Sequence, residues 1–380
     1  MPLIIISNPV SGDHSAVNLT TETILPLLAS HDIVPDKVAV TEHVGHAGTL
    51  ILSYIDGLAP STRADGITLV LVSGDGTLHE IVNALHSARD KREDSFPSLR
   101  IVLIPGGTAN ALHSTFFPPP SSPSASSAAE PTLLASLLSF LSATPRLVPL
   151  TFAYTKFFPP VSPDNDKLDR GSAVVSDSNS DGNGVVSVVV TSTALHAAIL
   201  YDSEALRASV PGIERFKLAA EQNATTWYRA RVRLLGPVQR YDVTSDAFIP
   251  VDEEEPFELQ GPFAYFLSTV NVDRLEPLFR IAPLQRAMPP PPGALTMDVL
   301  VVRPLRDPLL EGKAGEEERE RYKERIWGAI TGAYQDGAHV RARYDTQNGK
   351  GEGPPIIEYF RVKGWEWFPV RLPFGHIIIV

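Results

Sequence analysis

The sequence has no cysteine among its 380 residues, which excludes disulfides, thiolate zinc sites and cysteine nucleophiles and fits a reducing compartment. It also has no uninterrupted apolar run of about 18 residues, so we expect no transmembrane helix. The nearest stretch, 185–200, is rich in Val, Ser and Thr and contains His196, and we interpret it as a buried strand. No basic segment precedes the apolar N-terminus, so no signal peptide is expected.

Basic residues are scarce, with 33 Lys and Arg against 44 Asp and Glu, and the formal net charge is -11. Binding to nucleic acid depends on basic side chains that neutralise phosphates, so nucleic acid is not an expected partner. The hydrophobic fraction of 43% and the charged fraction of 20% are typical of a globular protein. A chain of this length predicts two domains.

The first 116 residues alternate between short apolar runs and segments with helical periodicity. Strands are predicted at 3–6, 37–40, 67–72 and 100–104. The third run is continuously apolar, as parallel strands covered on both faces are. This order predicts an α/β domain with a doubly wound, mostly parallel sheet.

The composition changes around Leu147. Residues 118–131 form a Pro/Ser/Ala tract that cannot build a core, so we predict a disordered insertion there. Short Val, Thr, Tyr and Phe runs then predict a mostly β, sandwich-like second domain. The predicted domains are 1–146 and 147–380, with loop insertions in the second at 157–184, 252–256 and 305–325 and a charged helix over 311–334.

Three glycine-bearing loops, 8–12, 73–77 and 105–110, each follow a predicted strand. Parallel sheets bind ligands at this carboxyl edge, glycine lets the backbone approach a phosphate, and the following helix N-terminus favours an anion. Asp75 lies between two glycines, where a carboxylate can bind Mg²⁺ or accept a proton from an attacking hydroxyl. Gly-Asp-Gly alone is also a common turn.

The loops together, with Thr41-Glu42 and His46-Ala47, resemble the catalytic domain of diacylglycerol kinases and sphingosine kinases. The resemblance implies a fold shared with phosphofructokinases and NAD kinases, with ATP in the cleft between the α/β and β domains. It implies an ATP- and Mg²⁺-dependent lipid kinase. The γ-phosphoryl group would pass to a lipid hydroxyl, on a sphingoid long-chain base in the first place or else on diacylglycerol.

The resemblance also implies roles for individual residues. Asp75 would be the general base or a metal ligand, and Glu80 would support its loop. Arg207 and Arg215 match family arginines that reach the nucleotide phosphates, a role that suits the guanidinium fork. The implied nucleotide-binding residues are Asn8, Ser11, Gly12, Thr41, Ser73, Gly74, Gly76, Thr77, Glu80, Gly106, Gly107, Thr108, Asn110, Arg207 and Arg215.

The sequence departs from the family pattern at three places. Sphingosine kinases have an aspartate that pairs with the substrate amine, and Leu200 stands there. Asp202, two residues on, is the candidate substitute. Asp13 follows the first loop, where an acidic residue does not help to bind phosphate. The chain stops at Val380, immediately before the place of a terminal Asp-Gly-Glu motif, so we expect a truncated sequence or a lost motif.

Two alternatives remain beside the lipid kinase. One is a catalytically impaired relative that binds nucleotide or lipid as a regulatory module, and the other is a kinase of soluble substrates similar to NAD kinase. The lipid-kinase reading predicts a cytoplasmic protein that is peripheral on intracellular membranes. The apolar segment 157–161 is a candidate membrane contact, although an ordinary loop fits it as well.

Overall fold

The computed structural model describes residues 2–89, 96–119, 132–157, 184–210, 212–251 and 257–370. Four strands form a parallel sheet in the order β2-β1-β3-β4. They are β1 Leu3–Ser7, β2 Lys37–Val40, β3 Ile67–Ser73 and β4 Leu99–Pro105. The four predicted strands and the parallel sheet are therefore confirmed.

Helices cover both faces of this sheet. Ile4 and Ile6 of β1 belong to one buried cluster with Ile51 and Leu78, whereas Leu3 and Ile5 belong to a second one. This double burial explains why the strands are continuously apolar. The helices are α1 Ala16–Leu19, α2 Leu25–Ala29, α3 His46–Gly57, α4 Pro60–Ala64, α5 Asp75–Arg89, α6 Ala111–Phe116 and α7 Ala135–Leu141, with a π-helical turn at Thr20–Ile24 and a 3-10 turn at Thr132–Leu134.

The second half of the chain is mostly antiparallel β-structure, as predicted. Its strands are β5 Ala153–Lys156, β6 Gly184–Ser187, β7 Val190–Thr193, β8 Ala230–Leu235, β9 Gln239–Asp242, β10 Ala247–Pro250, β11 Phe257–Gln260, β12 Tyr265–Thr269, β13 Met297–Val302, β14 Glu358–Val362 and β15 Gly364–Pro369. A six-stranded sheet has the order β10-β9-β14-β13-β12-β7, and a three-stranded sheet has the order β11-β8-β15. Val232 and Phe360 lie in the buried cluster shared by these two sheets, so they pack as a sandwich.

Helices and 3-10 turns connect these strands. The helices are α8 Ala194–Ala205, α9 Glu214–Asn223, α10 Leu284–Ala287 and α11 Glu316–Ile330, and the 3-10 turns are Pro304–Arg306, Pro308–Leu310, Thr331–Tyr334 and Ala338–Arg341. No helix among the described residues is long and apolar enough to span a bilayer.

Two sequence interpretations need correction. The stretch 185–200 is not one buried strand, because β6 and β7 give way to α8 at Ala194. Its last residues include Leu195, Ala197 and Ala198, which are good helix formers and are buried on this helix. The predicted loop insertion 305–325 contains 3-10 turns and the start of α11. The helix predicted over 311–334 is confirmed in shorter form.

The insertions at 120–131, 158–183 and 252–256 lie outside the described residues, and the boundary after residue 146 stays a prediction. The two halves are nevertheless in direct contact. The Asn83 side chain of α5 donates to Val186 O and accepts from Val186 N, at 2.9 and 2.8 Å. The Asp273 amide donates to Thr115 Oγ1 at 3.3 Å. The β half thus lies against the helix that begins at Asp75.

Candidate functional site

The carboxyl ends of all four parallel strands lie side by side. Thr41 N donates to Ser7 O at 2.9 Å, Asn8 N donates to Val72 O at 3.1 Å, and Gly106 N donates to Ser73 O at 3.1 Å. The segments that leave the strands therefore form one row, in the order 41–45, 8–12, 74–77 and 106–110. This arrangement is the one that the loop spacing predicts.

Glycines let the three loops touch one another. A Cβ on Gly12, which has φ +54°, would collide with the carbonyl oxygen of Gly106. A Cβ on Gly107 would lie 2.5 Å from the Cα of Gly74. Gly76 differs, since nothing lies within 4 Å of the position of its Cβ. Gly12 and Gly107 thus have a packing role, whereas the Cβ position of Gly76 is open.

Hydroxyl and amide groups tie the first two loops together. The Ser73 and Thr77 hydroxyls lie 2.6 Å apart, and Asn8 Nδ2 donates to Thr77 Oγ1 at 3.0 Å. Gly74 N donates to Ser11 Oγ at 3.2 Å. The structure therefore brings Asn8, Ser11, Ser73, Gly74 and Thr77 into one small network.

Asp75 joins the second loop to the third. Its Oδ2 accepts from Ala111 N at 2.6 Å and its Oδ1 accepts from Leu112 N at 3.3 Å, so both oxygens cap the start of α6. Burial raises the pKa of the Asp75 carboxyl, against the effect of these two backbone donors. A carboxylate with a raised pKa is a stronger proton acceptor, which suits a general base.

The third loop is held by Asn110, a predicted site residue. Asn110 has φ +54°, and its side chain accepts from Gly107 N at 2.8 Å and donates to Gly107 O at 2.6 Å. A cavity of about 10 Å³, room for roughly one water molecule, lies between the second and third loops. It is lined by Ser73, Gly74, Asp75, Leu78, Leu103, Ile104, Pro105, Asn110 and His113.

The donor set fits magnesium only with help from a phosphate ligand. The described residues contain no group of three or more His, Cys, Asp or Glu side chains that could hold a metal. Mg²⁺ is usually bound through one or two carboxylates together with substrate phosphates and waters. Asp75 is the carboxylate that could supply this contact.

Some predicted residues make other contacts. No hydrogen bond joins the Glu80 carboxylate to the loops within the described part of the chain, so its supporting role stays a prediction. Thr41 is buried and Thr108 is exposed.

The Asp13 carboxylate accepts from the amide and the hydroxyl of Ser15, and these hydrogen bonds lower the pKa of Asp13. Asp13 thus holds Ser15, the residue that precedes α1.

Asp202 lies on α8 and faces α9. Its Oδ2 accepts from Asn223 Nδ2 at 2.6 Å. Burial and the charge of Asp202 raise the pKa of Tyr228 to about 12. Asp202 is partly buried, and it forms no ion pair with a basic residue of the described ranges. Asn223 and Tyr228 carry no sequence signal for this site. The packing of α9 on α8 places Asn223 there, and Tyr228 lies beyond the end of α9.

The two predicted phosphate arginines differ in environment. Arg207 is exposed and forms an ion pair with Glu204 at 2.9 Å. Arg215 is buried, its guanidinium lies 4.7 Å from the ring of Phe216, and its Nε has no hydrogen-bond partner among the described residues. Burial and the nearby charge of Arg207 lower the pKa of Arg215. A buried guanidinium with an unused donor is able to bind an anion.

The family model and the similar sequences match only part of the chain. A model of the diacylglycerol kinase catalytic domain matches residues 2–135. Sphingosine kinase 1 of Rattus norvegicus is 32% identical over 114 residues, which are 29% of this chain and 26% of that protein. Sphingosine kinase 1 of Homo sapiens is 33% identical over 110 residues, with the same two shares. The match thus spans about a quarter of the length of these relatives.

A solved structure of a putative diacylglycerol kinase from Bacillus anthracis str. Sterne is similar at a TM-score of 0.47 and 13% identity, over 96% of this chain and 85% of that one. The sheet, the converging loops and the family match define the N-terminal part as a kinase-type catalytic domain. This domain belongs to the diacylglycerol kinase and sphingosine kinase family, as its motifs predict.

Proposed function

We propose that the protein is an ATP-dependent lipid kinase whose acceptor is the hydroxyl of a sphingoid long-chain base. The family of the N-terminal domain supports the kinase activity, and the surroundings of Asp202 support this class of lipid. We also propose a cytoplasmic location and peripheral contact with an intracellular membrane, where the lipid acceptor would be met. Of the candidate membrane segment 157–161, only Phe157 lies among the described residues.

The carrying observation is the carboxylate of Asp202. It is partly buried, and its hydrogen-bond donor is the neutral amide of Asn223 at 2.6 Å. A carboxylate removed from water is stabilised by a cationic partner, and a sphingoid base carries an ammonium group that can supply one. Diacylglycerol and ceramide have no such group. Asp202 therefore pairs with the substrate amine, which Leu200 cannot do.

The loops supply the groups that phosphoryl transfer requires. Backbone amides of the glycine loops donate to the phosphates, and Arg215 offsets their charge. Asp75 accepts the proton of the lipid hydroxyl as the new O–P bond forms and the bond to the ADP leaving group breaks. Asp75 is also the carboxylate that would hold Mg²⁺ together with the phosphates, and the metal would supply positive charge to the transferring group.

The test is the transfer of labelled γ-phosphate from ATP and Mg²⁺ to sphingosine, dihydrosphingosine, ceramide and diacylglycerol in mixed micelles. We expect both bases to be labelled and the two neutral lipids to be labelled at least about tenfold less. Asp202→Asn should lower kcat/KM for the bases by about 30-fold or more and leave the KM for ATP unchanged. Glu204→Gln, an exposed carboxylate on the same helix, is the matched control.

Each other outcome contradicts part of this proposal. Labelling of diacylglycerol that does not respond to Asp202→Asn would overturn the sphingoid assignment and keep the lipid kinase. ATP binding without transfer to any lipid would indicate the regulatory homologue, and phosphorylation of NAD without lipid would indicate the NAD kinase alternative. Asp75→Asn should remove transfer to every acceptor.

A further inference from the structure

A short segment, 186–190, connects the buried core of the first half to that of the second. Val186 and Val188 are 5% and 2% exposed, and they belong to the buried cluster that contains Leu78 of α5. Val190 packs against this cluster and also against the core of the second half. The segment therefore joins the two cores directly.

Both sides of this segment lead to residues of the proposed reaction. On one side, β6 packs against α5, the helix that begins at Asp75. On the other side, β7 pairs with β12 and continues into α8, which begins at Ala194 and carries Asp202. A shift of the segment along α5 would therefore change the distance between Asp75 and Asp202.

Apolar contacts alone do not prevent such a shift. Hydrophobic burial is non-directional, so Val186 and Val188 could be buried at more than one position along α5. A hydrogen bond requires a particular distance and angle, so it selects one position. The contact that fixes the register must therefore join α5 to the backbone of the segment by hydrogen bonds.

The side-chain amide of Asn83 makes this contact. Its Nδ2 donates to Val186 O at 2.9 Å and its Oδ1 accepts from Val186 N at 2.8 Å, so it pairs with both backbone groups of one residue. Nδ2 also donates to His79 O at 2.9 Å, which holds the amide in this orientation. Asn83 lies about 12 Å further along α5 than Asp75. The contact thus joins the helix of the proposed base to the segment that leads to α8.

We infer that Asn83 is a positioning residue, which fixes the second half against Asp75 so that the lipid hydroxyl meets the γ-phosphate. A misplacement of about 1 Å can lower a rate by about 100-fold. This inference rests on the proposed function, since it concerns the distance between the proposed base and the proposed partner of the substrate amine. Asn83 acts through the backbone of Val186 and needs no contact with ATP or lipid.

The test separates kcat from binding. Transfer of labelled γ-phosphate from ATP and Mg²⁺ to dihydrosphingosine in mixed micelles is measured for wild type and Asn83→Ala. Displacement of a fluorescent ATP analogue counts the ATP sites per chain, and kcat is expressed per site. Asn83→Ala should lower this kcat by about 10- to 100-fold. The KM values for ATP and lipid should change by less than about twofold, because the loops and Asp202 keep their own contacts.

Ile81→Val and Ile81→Ala are the matched controls. Ile81 is fully buried on α5 in the same cluster, so both variants lose apolar packing and keep the hydrogen bonds of Asn83. Their urea midpoints should bracket that of Asn83→Ala. The kcat per ATP site of both variants should stay within about twofold of wild type.

Three results would overturn this inference and leave the kinase proposal intact. The first is an unchanged kcat in Asn83→Ala. The second is a loss of ATP sites that accounts for all of the lost transfer, since this would indicate unfolding. The third is an equal loss of kcat in the Ile81 variants. If wild type transfers no phosphate to a lipid, the proposed function fails and this inference fails with it.

Discussion

The two halves of the molecule use different residues in their interiors. In the N-terminal sheet, β1 and β3 are buried along their whole length and are almost entirely aliphatic. In the C-terminal sheet, Asp298 and Arg361 are 2% and 5% exposed and face each other on neighbouring strands. Backbone contacts between glycines shape the first half, whereas buried charges hold specific partners together in the second.

The Asp298 cluster shows how complete this pairing is. Arg361 donates to both carboxylate oxygens, at 2.7 and 3.0 Å, and the Tyr359 hydroxyl donates at 2.6 Å. Arg361 also lies over the ring of Phe248 at 4.3 Å. Glu358 is similarly held by Arg303 and Arg306, at 2.7 and 2.5 Å. Each carboxylate accepts from two side chains, so removing a carboxylate leaves both of its donors without that acceptor.

The largest effect is therefore expected at Asp298. Asp298→Ala should lower the free energy of unfolding by about 3–5 kcal/mol, because it leaves the Arg361 guanidinium and the Tyr359 hydroxyl without their acceptor. Urea denaturation followed by circular dichroism measures it. Glu258→Ala removes two more exposed ion pairs, with Arg231 and Arg233, and should cost less than about 1 kcal/mol. A similar loss in the two variants would show that the buried charges are not what distinguishes this half.

The triple variant Asp298→Leu, Tyr359→Phe and Arg361→Met sharpens the same point, because it also removes the hydroxyl that Asp298 accepts from. Replacing a buried pair by apolar residues of similar volume is often close to neutral, so much of the stability should return. The second half would then need its charges for specific pairing more than for stability.

Glycine substitutions give the next largest effect and test the first half. Gly107→Ala should cost about 1–3 kcal/mol, because its Cβ would meet the backbone of Gly74 at 2.5 Å. Gly76→Ala has free space and lies in α5, so the free energy of unfolding should stay unchanged or rise by up to about 1 kcal/mol. Denaturation separates these outcomes, and equal losses would contradict loop packing. Weaker ATP binding by Gly76→Ala alone would assign Gly76 to the phosphates.

The difference between the halves also explains what the sequence could predict. The apolar runs of β1 and β3 and the spacing of the glycine loops are local patterns, so the parallel sheet and its converging loops followed from them. Asp75 caps α6 through Ala111 and Leu112, which lie 36 and 37 positions further along the chain, and no local pattern predicts this contact. The motif thus predicted where Asp75 lies but not what its oxygens contact.

In the second half the predictable part is smaller. The β-rich class follows from composition, but Asp298 and Arg361 are 63 positions apart and meet only through strand register. The start of α8 at Ala194 was missed because a buried helix and a buried strand have the same apolar composition over a short stretch. The position of Asp202 in a motif makes it a candidate for binding the substrate amine. Its contact with Asn223 depends on the packing of two helices and could not be predicted from that motif.

The smallest effect concerns pH, and it should have opposite signs in the two halves. Burial raises the pKa of Asp75, so its folded value lies above the unfolded value of about 3.9. The raised pKa means that ionised Asp75 lowers the free energy of unfolding. This loss is fully present above the folded pKa and disappears as the pH falls from the folded to the unfolded pKa. On acidification, the free energy of unfolding of wild type should therefore rise relative to that of Asp75→Asn.

Asp273 is the counterpart in the second half. Burial alone would raise its pKa, but the hydrogen bonds and charges of Arg274 and Arg280 outweigh burial and lower it. Its stabilisation is present above the unfolded pKa of about 3.9 and is lost as the pH falls toward the lower folded value. The stability of wild type relative to Asp273→Asn should therefore fall on acidification. Denaturation series between about pH 7 and 3 would measure both slopes, and slopes of the same sign would contradict the contrast between a carboxylate held by backbone amides and one held by arginines.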